Sequence, residues 1–167
     1  MLKIIKNVIY KAEEYLVLVT VLGMILIVAW SVICRGVLKV PFLIGEELSR
    51  YLMIYSVFIG IAVGVRRGSH VGIRAFVNKL PVRVGDAVEY IQRILTIITY
   101  ISLTVVSLLV SIHFGQIGQR STMMHVPMSF VYAILPIGFA LSAVHSVENL
   151  VALIKEKKSD KGKEGDQ

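Results

Sequence analysis

Four long apolar segments constrain this chain more than any other feature. Tyr15–Ile33 contains 19 residues without a charged side chain, and Ile94–Phe114 contains 21 residues without Asp, Glu, Lys or Arg. Leu48–Val65 carries one charged side chain, Arg50, near its start, and a fourth apolar segment covers residues 126–147. A helix of about 20 such residues crosses the ~30 Å hydrocarbon core of a bilayer. The sequence therefore predicts an all-α integral membrane protein with four transmembrane helices.

Composition excludes a soluble domain and a nucleic-acid-binding protein. The chain is 56% hydrophobic with a mean hydropathy of +0.75, whereas soluble domains are about 45–50% apolar. The net charge of +7 comes from basic residues between and beyond the apolar segments, without the aromatic interleaving of a nucleic-acid surface. The single cysteine, Cys34, excludes an intramolecular disulfide and a multi-cysteine metal site.

The predicted organisation is a single membrane domain, residues 1–154, followed by a charged tail. Residues 1–14 form an amphipathic pattern that predicts an interfacial helix with its lysines toward anionic lipid; docking on protein is the alternative. The first apolar segment is too long for a signal-peptide core of ~7–15 residues and is expected to be retained. The predicted spans are 15–33, 46–65, 94–114 and 126–147. The tail, 155–167, is expected to be disordered.

Three local features refine these spans. A polar helical extension is predicted to begin near Val82 and to continue into the third span. Pro136 lies inside the fourth span, where the missing N–H predicts a kink. A second, weaker amphipathic helix is predicted at Val71–Leu80.

Lys and Arg are distributed unequally between the two sides of a four-span chain. Fourteen lie at the amino terminus, in the central loop and in the tail, and four lie in the other two links or beside them. Because cytoplasmic loops retain an excess of Lys and Arg, both termini are predicted to be cytoplasmic.

The second span carries a regular line of small residues. Ser56, Gly60, Gly64 and Gly68 recur every fourth residue, which places them on one helical face where another backbone can approach closely. We expect this face to pack against a partner helix.

Charged residues are concentrated at the two ends of the second span. They are Glu46, Glu47 and Arg50 at the outer end, and Arg66, Arg67 and His70 at the inner end. At the outer end the arginine can pair with the glutamates three and four residues before it. The alternative is that Glu46, Glu47 and Arg50 bind an external partner.

Six hydroxyl side chains occur along the third span, five of them on one side of the helix. A hydrophilic permeation wall and a packing face are both compatible with this pattern. Packing is favoured because Ser and Thr hydroxyls also bond back to their own helix. The residues are Thr96, Thr99, Ser102, Thr104, Ser107 and Ser111.

No residue pattern indicates catalysis. The sequence contains no Walker loop, triad spacing or zinc motif, and GIAVGVRRG lacks the lysine and hydroxyl of a phosphate-binding loop. His145 and Glu148 can pair at the inner end of the fourth span, but a metal site needs more ligands. The chain is therefore predicted to be no enzyme, with no catalytic, substrate-binding or metal site and no cofactor.

The segment that begins at Pro41, PFLIGEELSRYLMIYSVFIGIAVGVRRGSHVGI, resembles the core of the small, DctQ-type membrane subunit of tripartite ATP-independent periplasmic (TRAP) transporters. In that family a carboxylate pair, an arginine and an aromatic open the second span, and a basic-glycine-histidine segment closes it. The matching residues here are Glu46, Glu47, Arg50 and Tyr51, then Arg66, Arg67, Gly68 and His70. The chain departs from the family pattern at Ile44-Gly45 and near Arg74.

The resemblance implies a scaffold in the bacterial inner membrane. Its partners would be a large permease subunit that carries substrate and sodium, a periplasmic substrate-binding protein that delivers an organic acid, and membrane lipids, but no nucleic acid. One alternative is an independent four-helix exporter or channel that acts as a homo-oligomer, which solute flux through the chain alone would reveal. A four-span protein with an unrelated assembly role is a third possibility.

Overall fold

A computed structural model describes residues 2–67 and 82–164 of the chain. Gly68, His70, Val71–Leu80 and Arg74 lie outside the described residues, and so do the expectations attached to them. Within the described ranges the chain is helical, and the elements are α1 (Leu2–Ile33), a π-helix (Cys34–Leu38), α2 (Leu43–Arg66), α3 (Val82–Gln116), α4 (Met128–Tyr132) and α5 (Ile134–Glu164).

Four helical stretches are long and apolar enough to cross a membrane. They are Lys6–Leu38, Leu43–Arg66, Val88–Gln116 and Met128–Lys155, counted over the described residues. Each covers one of the four apolar segments of the sequence. The predicted all-α fold with four membrane-spanning helices is thereby confirmed.

α1 is one continuous helix that includes both the segment predicted as an interfacial helix and the first span. Its 32 residues, Leu2–Ile33, extend about 48 Å at 1.5 Å per residue, well beyond the ~30 Å bilayer core. The polar side of its first turns, including Tyr10 and Glu13, contacts α5, and the apolar Val8 is exposed. This segment therefore docks on protein through its polar side, because charged partners on other helices satisfy those side chains.

α1 ends in a tightly closed turn. Lys39 adopts a left-handed conformation with φ of 55° after the π-helix. The backbone N–H of Val40 donates to the carbonyl of Cys34 at 3.3 Å, and Pro41 then prevents the helix from continuing. This turn places Arg35 beside the start of α2.

The fourth span is divided into a short and a long helix. α4 ends at Tyr132 and α5 begins at Ile134, so the interruption falls at Ala133. Pro136 has no N–H to donate to the carbonyl four residues earlier, that of Tyr132. The kink predicted at Pro136 therefore appears as an interruption of the helix about one turn earlier, at Ala133.

α2 and α5 form the centre of the bundle. α1 packs on α2, α2 on α5, and α5 on α3. At the α2–α5 contact, a Cβ added to Gly138 would lie 2.6 Å from the carbonyl oxygen of Phe58. The rings of Phe58 and Phe139 meet edge to face at 5.2 Å, and Ala62 and Ser142 are fully buried. Close backbone approach at a glycine thus sets the position of the two central helices.

α5 also continues past the predicted end of the membrane domain. The helix runs to Glu164, into the segment 155–167 for which the sequence predicts disorder. Lys and Glu, which dominate this segment, are good helix formers. High charge therefore does not by itself end the helix.

Candidate functional site

The outer cluster, Glu46, Glu47 and Arg50, lies at the beginning of α2. The carboxylate of Glu47 bonds to the loop between α3 and α4: its Oε2 accepts hydrogen bonds from the backbone N–H groups of Met123, at 2.9 Å, and Met124, at 3.1 Å. Its Oε1 accepts a hydrogen bond from the hydroxyl of Tyr51. Three donors at one carboxylate favour its ionised form.

The two other members of the outer cluster have different surroundings. Glu46 pairs with Arg35 from the end of α1. Arg50 is exposed and makes no ion pair within residues 2–67 and 82–164. The structure therefore does not show the local pairing of Arg50 with the glutamates, because each glutamate is engaged by a group from another element.

A cleft of about 440 Å³ opens between the start of α2 and the α3–α4 loop. Glu46, Glu47 and Arg50 line one side of it, and Arg120 and Thr122 line the other. Arg50 and Arg120 are both exposed. The outer end of the molecule thus presents a concave surface with free positive charge.

The small-residue face of α2 is not covered at Gly60 by the described residues. A Cβ added to Gly60 would meet none of them within 4 Å, and the hydroxyl of Ser56 bonds back to the carbonyl of Met53 at 2.9 Å. Gly64 is partly buried. Internal packing uses the other side of α2, where Ile59, Ala62 and Val65 are buried.

The inner cluster joins α1, α2 and α5 through charged side chains at the opposite end. Arg66 pairs with Glu13 at 3.3 Å and also with Glu14. Arg67 shares the same Glu14 at 3.0 Å. Glu13 is 4% exposed, so its ion pair is largely shielded from water.

α5 contributes the remaining members of the inner cluster. The Nε2–H of His145 donates to Glu13 at 2.9 Å. Glu148 accepts a hydrogen bond from the hydroxyl of Tyr10 at 2.7 Å and pairs with Lys6 at 2.6 Å. Among the described residues, the members of the inner cluster are Lys6, Tyr10, Glu13, Glu14, Arg66, Arg67, His145 and Glu148.

The charges of the inner cluster balance when His145 is neutral. Three cations then face three carboxylates. The guanidinium of Arg66 also lies 4.4 Å from the ring centre of Tyr10, which adds a cation–π contact. The arrangement can hold three helix ends together, because Glu13 is paired with Arg66 and His145. Among the described residues, Oε2 of Glu13, Nη1 of Arg66 and Nδ1 of His145 are buried without a hydrogen-bond partner.

Sequence reasoning identified Arg66, Arg67, His145 and Glu148 but missed the acidic partners on α1. The signal was present: Glu13-Glu14 is an acidic pair on the same predicted side as the basic pair. The amphipathic pattern of residues 1–14 does not by itself distinguish a lipid surface from a protein surface, so it does not name Arg66 and Arg67 as the partners of these glutamates.

The hydroxyls of α3 bond mainly to their own helix. Five of the six donate to backbone carbonyls three or four residues earlier, including Thr96 to Gln92 and Thr104 to Tyr100. Ser111 instead donates to the carbonyl of Ser129 at 3.1 Å, linking α3 to α4. This pattern supports packing rather than a permeation wall.

No group of three or more metal-binding side chains occurs in the described part of the chain. The two clusters therefore offer hydrogen-bonding and ionic contacts to neighbouring proteins or lipids.

Comparison with known proteins identifies the family. Residues 24–156 match the DctQ component of tripartite ATP-independent periplasmic transporters. The sialic acid TRAP transporter small permease protein SiaQ of Vibrio cholerae serotype O1 is 34% identical over 80 residues, 48% of this chain and 46% of that protein. A putative TRAP transporter small permease protein of Haemophilus influenzae is 33% identical over 81 residues, 48% of this chain and 50% of that protein.

The aligned part of the chain spans about half the length of these relatives. The family match is broader and covers all four spans from the middle of α1 onward. Together with the four apolar helices, it identifies a component of a bacterial inner-membrane transporter rather than an enzyme. The chain belongs to the DctQ family of TRAP transporter components.

Proposed function

We propose that this chain is the small permease subunit of a sodium-coupled, binding-protein-dependent TRAP transporter for organic acids. In this proposal it is a non-catalytic scaffold for the large permease subunit, with both termini in the cytoplasm. Family membership supports a place in such a transporter. The Vibrio cholerae relative is named for sialic acid, which supports an organic acid as substrate.

The observation that carries the scaffold role is the pairing of buried ionisable groups. Glu13, Arg66 and His145 contact one another across three helices, and Arg93 pairs with Glu89 on α3 at 3.4 Å. Substrate pathways instead place ionisable groups at mid-membrane, toward a cavity. Here these groups brace helix ends, which suits a subunit that supports a moving partner.

The open small-residue face of α2 supports contact with the large permease subunit. Ser56, Gly60 and Gly64 lie on this face, and none of the described residues fills the space beside Gly60. Small residues allow two membrane helices to approach closely, and association then depends on backbone contact. The remaining exposed apolar surface of the four spans would contact lipid.

Co-purification tests this contact. Leucine at Gly60 and Gly64 should prevent isolation of the large subunit with this chain, and circular dichroism of the purified variant checks that the subunit itself stays folded. Ala29→Leu is the control, because Ala29 is exposed on α1, and it should retain the complex. Unchanged assembly and transport in the Gly60→Leu, Gly64→Leu variant would exclude the packing role.

We also propose that the outer cluster contributes to docking of the periplasmic binding protein. Its support is Arg50, which is exposed beside the outer cleft and makes no ion pair with any described residue. Arg50→Glu should raise the binding-protein concentration needed for half-maximal uptake. Lys155→Glu makes the same charge change at the other end of the chain and should have no such effect. An equal response of the two variants would assign the effect to net charge.

A further inference from the structure

Among the described residues, Glu47 is the only side chain of α2 that forms hydrogen bonds with the backbone at the tip of the α3–α4 loop. We define the outer hairpin as residues 119–128. Two backbone bonds close its base: Ser121 N–H to Val126 carbonyl and Met128 N–H to Gln119 carbonyl, both at 2.9 Å. Backbone hydrogen bonds therefore hold the base of the outer hairpin together.

The tip of the outer hairpin is held differently. The N–H groups of Met123 and Met124 donate to Oε2 of Glu47, 76 and 77 residues away in sequence. No backbone carbonyl accepts these two N–H groups among the described residues. His125, which follows, has a strained φ of 53°. Because charge-assisted bonds are stronger than neutral ones, the carboxylate supplies the constraint that the hairpin backbone lacks.

The tip also forms one wall of the outer cleft. Thr122 and Met123 are exposed there, Met123 at 43%, and Arg50 projects from the opposite wall. Glu47 itself is half-buried between the two walls, so it is poorly placed to contact a soluble partner directly. Its position instead fixes the distance between the two exposed walls.

We propose that Glu47 is a positioning residue, which holds the outer hairpin and thereby keeps the outer cleft in a preformed shape for the periplasmic binding protein. This proposal rests on the proposed function, since that function supplies the partner. The contact groups are Arg50 and the exposed hairpin tip. Preorganisation of this kind favours binding, because the loop does not have to be ordered during association.

The test uses Glu47→Gln in the full transporter, with two measurements. Glutamine keeps the size of the side chain but loses its charge and one acceptor oxygen. Hydrogen–deuterium exchange of peptides covering residues 121–126 should become about tenfold faster or more, as expected for loss of a charge-assisted hydrogen bond. Glu46→Gln, which affects only the pair with Arg35, should leave that exchange unchanged.

The second measurement is sodium-driven uptake as a function of binding-protein concentration. Glu47→Gln should raise the half-maximal concentration several-fold while the rate at saturating binding protein stays the same. A general loss of folding would lower the saturating rate instead. This split separates a positioning role from a purely structural one.

Two results would overturn the proposal. Unchanged exchange in Glu47→Gln would show that the carboxylate does not hold the hairpin, and faster exchange with an unchanged half-maximal concentration would show that the hairpin does not shape the docking surface. If wild-type uptake is independent of any binding protein, the proposed function itself fails. The exchange measurement still reports on Glu47 in that case.

Discussion

Glu13 shows what a single buried charge does in this protein. It is 4% exposed and lies between Arg66 and His145. A carboxylate in this position stabilises the fold only while its partners are present. The same partners become a liability when the carboxylate is removed, because Arg66, with a side chain 12% exposed, keeps its charge and retains only the partly exposed Glu14 as a partner.

We therefore expect Glu13→Gln to lower the free energy of unfolding by about 3 kcal/mol, the typical cost of breaking a buried ion pair. Glu46→Gln is the matched control, since its pair with Arg35 is solvent-exposed and is worth about 0–1 kcal/mol. Unfolding of the purified subunit in mixed micelles, followed by circular dichroism, measures both. Equal losses would mean that the inner cluster is no more important than a surface pair.

Several residue contacts were beyond sequence reasoning for a physical reason. The position of Glu47 on α2 was predictable, but the donors that its carboxylate accepts from are the backbone N–H groups of Met123 and Met124. A pattern of side chains does not show which backbone N–H groups will be free to donate to a distant carboxylate. The helical spacing therefore favoured Arg50 as a partner, and tertiary contacts replaced that local pair.

At the scale of helices, the apolar segments predicted the spans because length and hydrophobicity are properties of the sequence alone. The start of α3 at Val82 agrees with the predicted polar extension. The packing partners of each helix were less accessible. Gly138 approaches the backbone of α2 closely and lies on a line of small residues, Gly138, Ser142 and Ser146, to which the sequence analysis gave no weight. Gly60 lies on the line that was singled out, and a Cβ added there meets none of the described residues within 4 Å.

The two glycines give a direct comparison in the isolated subunit. Gly138→Ala would place a methyl group 2.6 Å from the carbonyl oxygen of Phe58 and 3.0 Å from its carbonyl carbon. We expect a loss of about 1–3 kcal/mol, because backbone atoms have to separate.

Gly60→Ala is the control, since it meets open space and should be neutral or slightly stabilising through helix propensity. Denaturation in mixed micelles again measures the difference. Equal stability of the two variants would contradict the close α2–α5 approach.

At the scale of the whole molecule, four spans place both termini on one side, and charge selects which side. Fourteen of the 18 Lys and Arg residues lie on the side of the termini. The inner cluster uses some of them, such as Arg66 and Lys6, as ion-pair partners. Positive charge at this end therefore joins helices, and by the positive-inside rule it also predicts that this end is cytoplasmic.

This double use leads to a topology prediction. In a Cys34→Ala background, which removes the only native thiol, a cysteine replacing Thr122 on the outer hairpin should react with a membrane-impermeant maleimide in intact spheroplasts. A cysteine replacing Lys155 should react only after permeabilisation. Both positions are exposed, so both should react in detergent, which controls for accessibility.

The reverse labelling pattern would place the outer cleft in the cytoplasm. The cleft could then not receive a periplasmic protein, and the docking role of Arg50 and the positioning role of Glu47 would both lose their partner. The scaffold role would survive, because the open face at Gly60 lies within the bilayer in either orientation. Labelling thus separates the part of the proposed function that depends on sidedness from the part that depends only on helix packing.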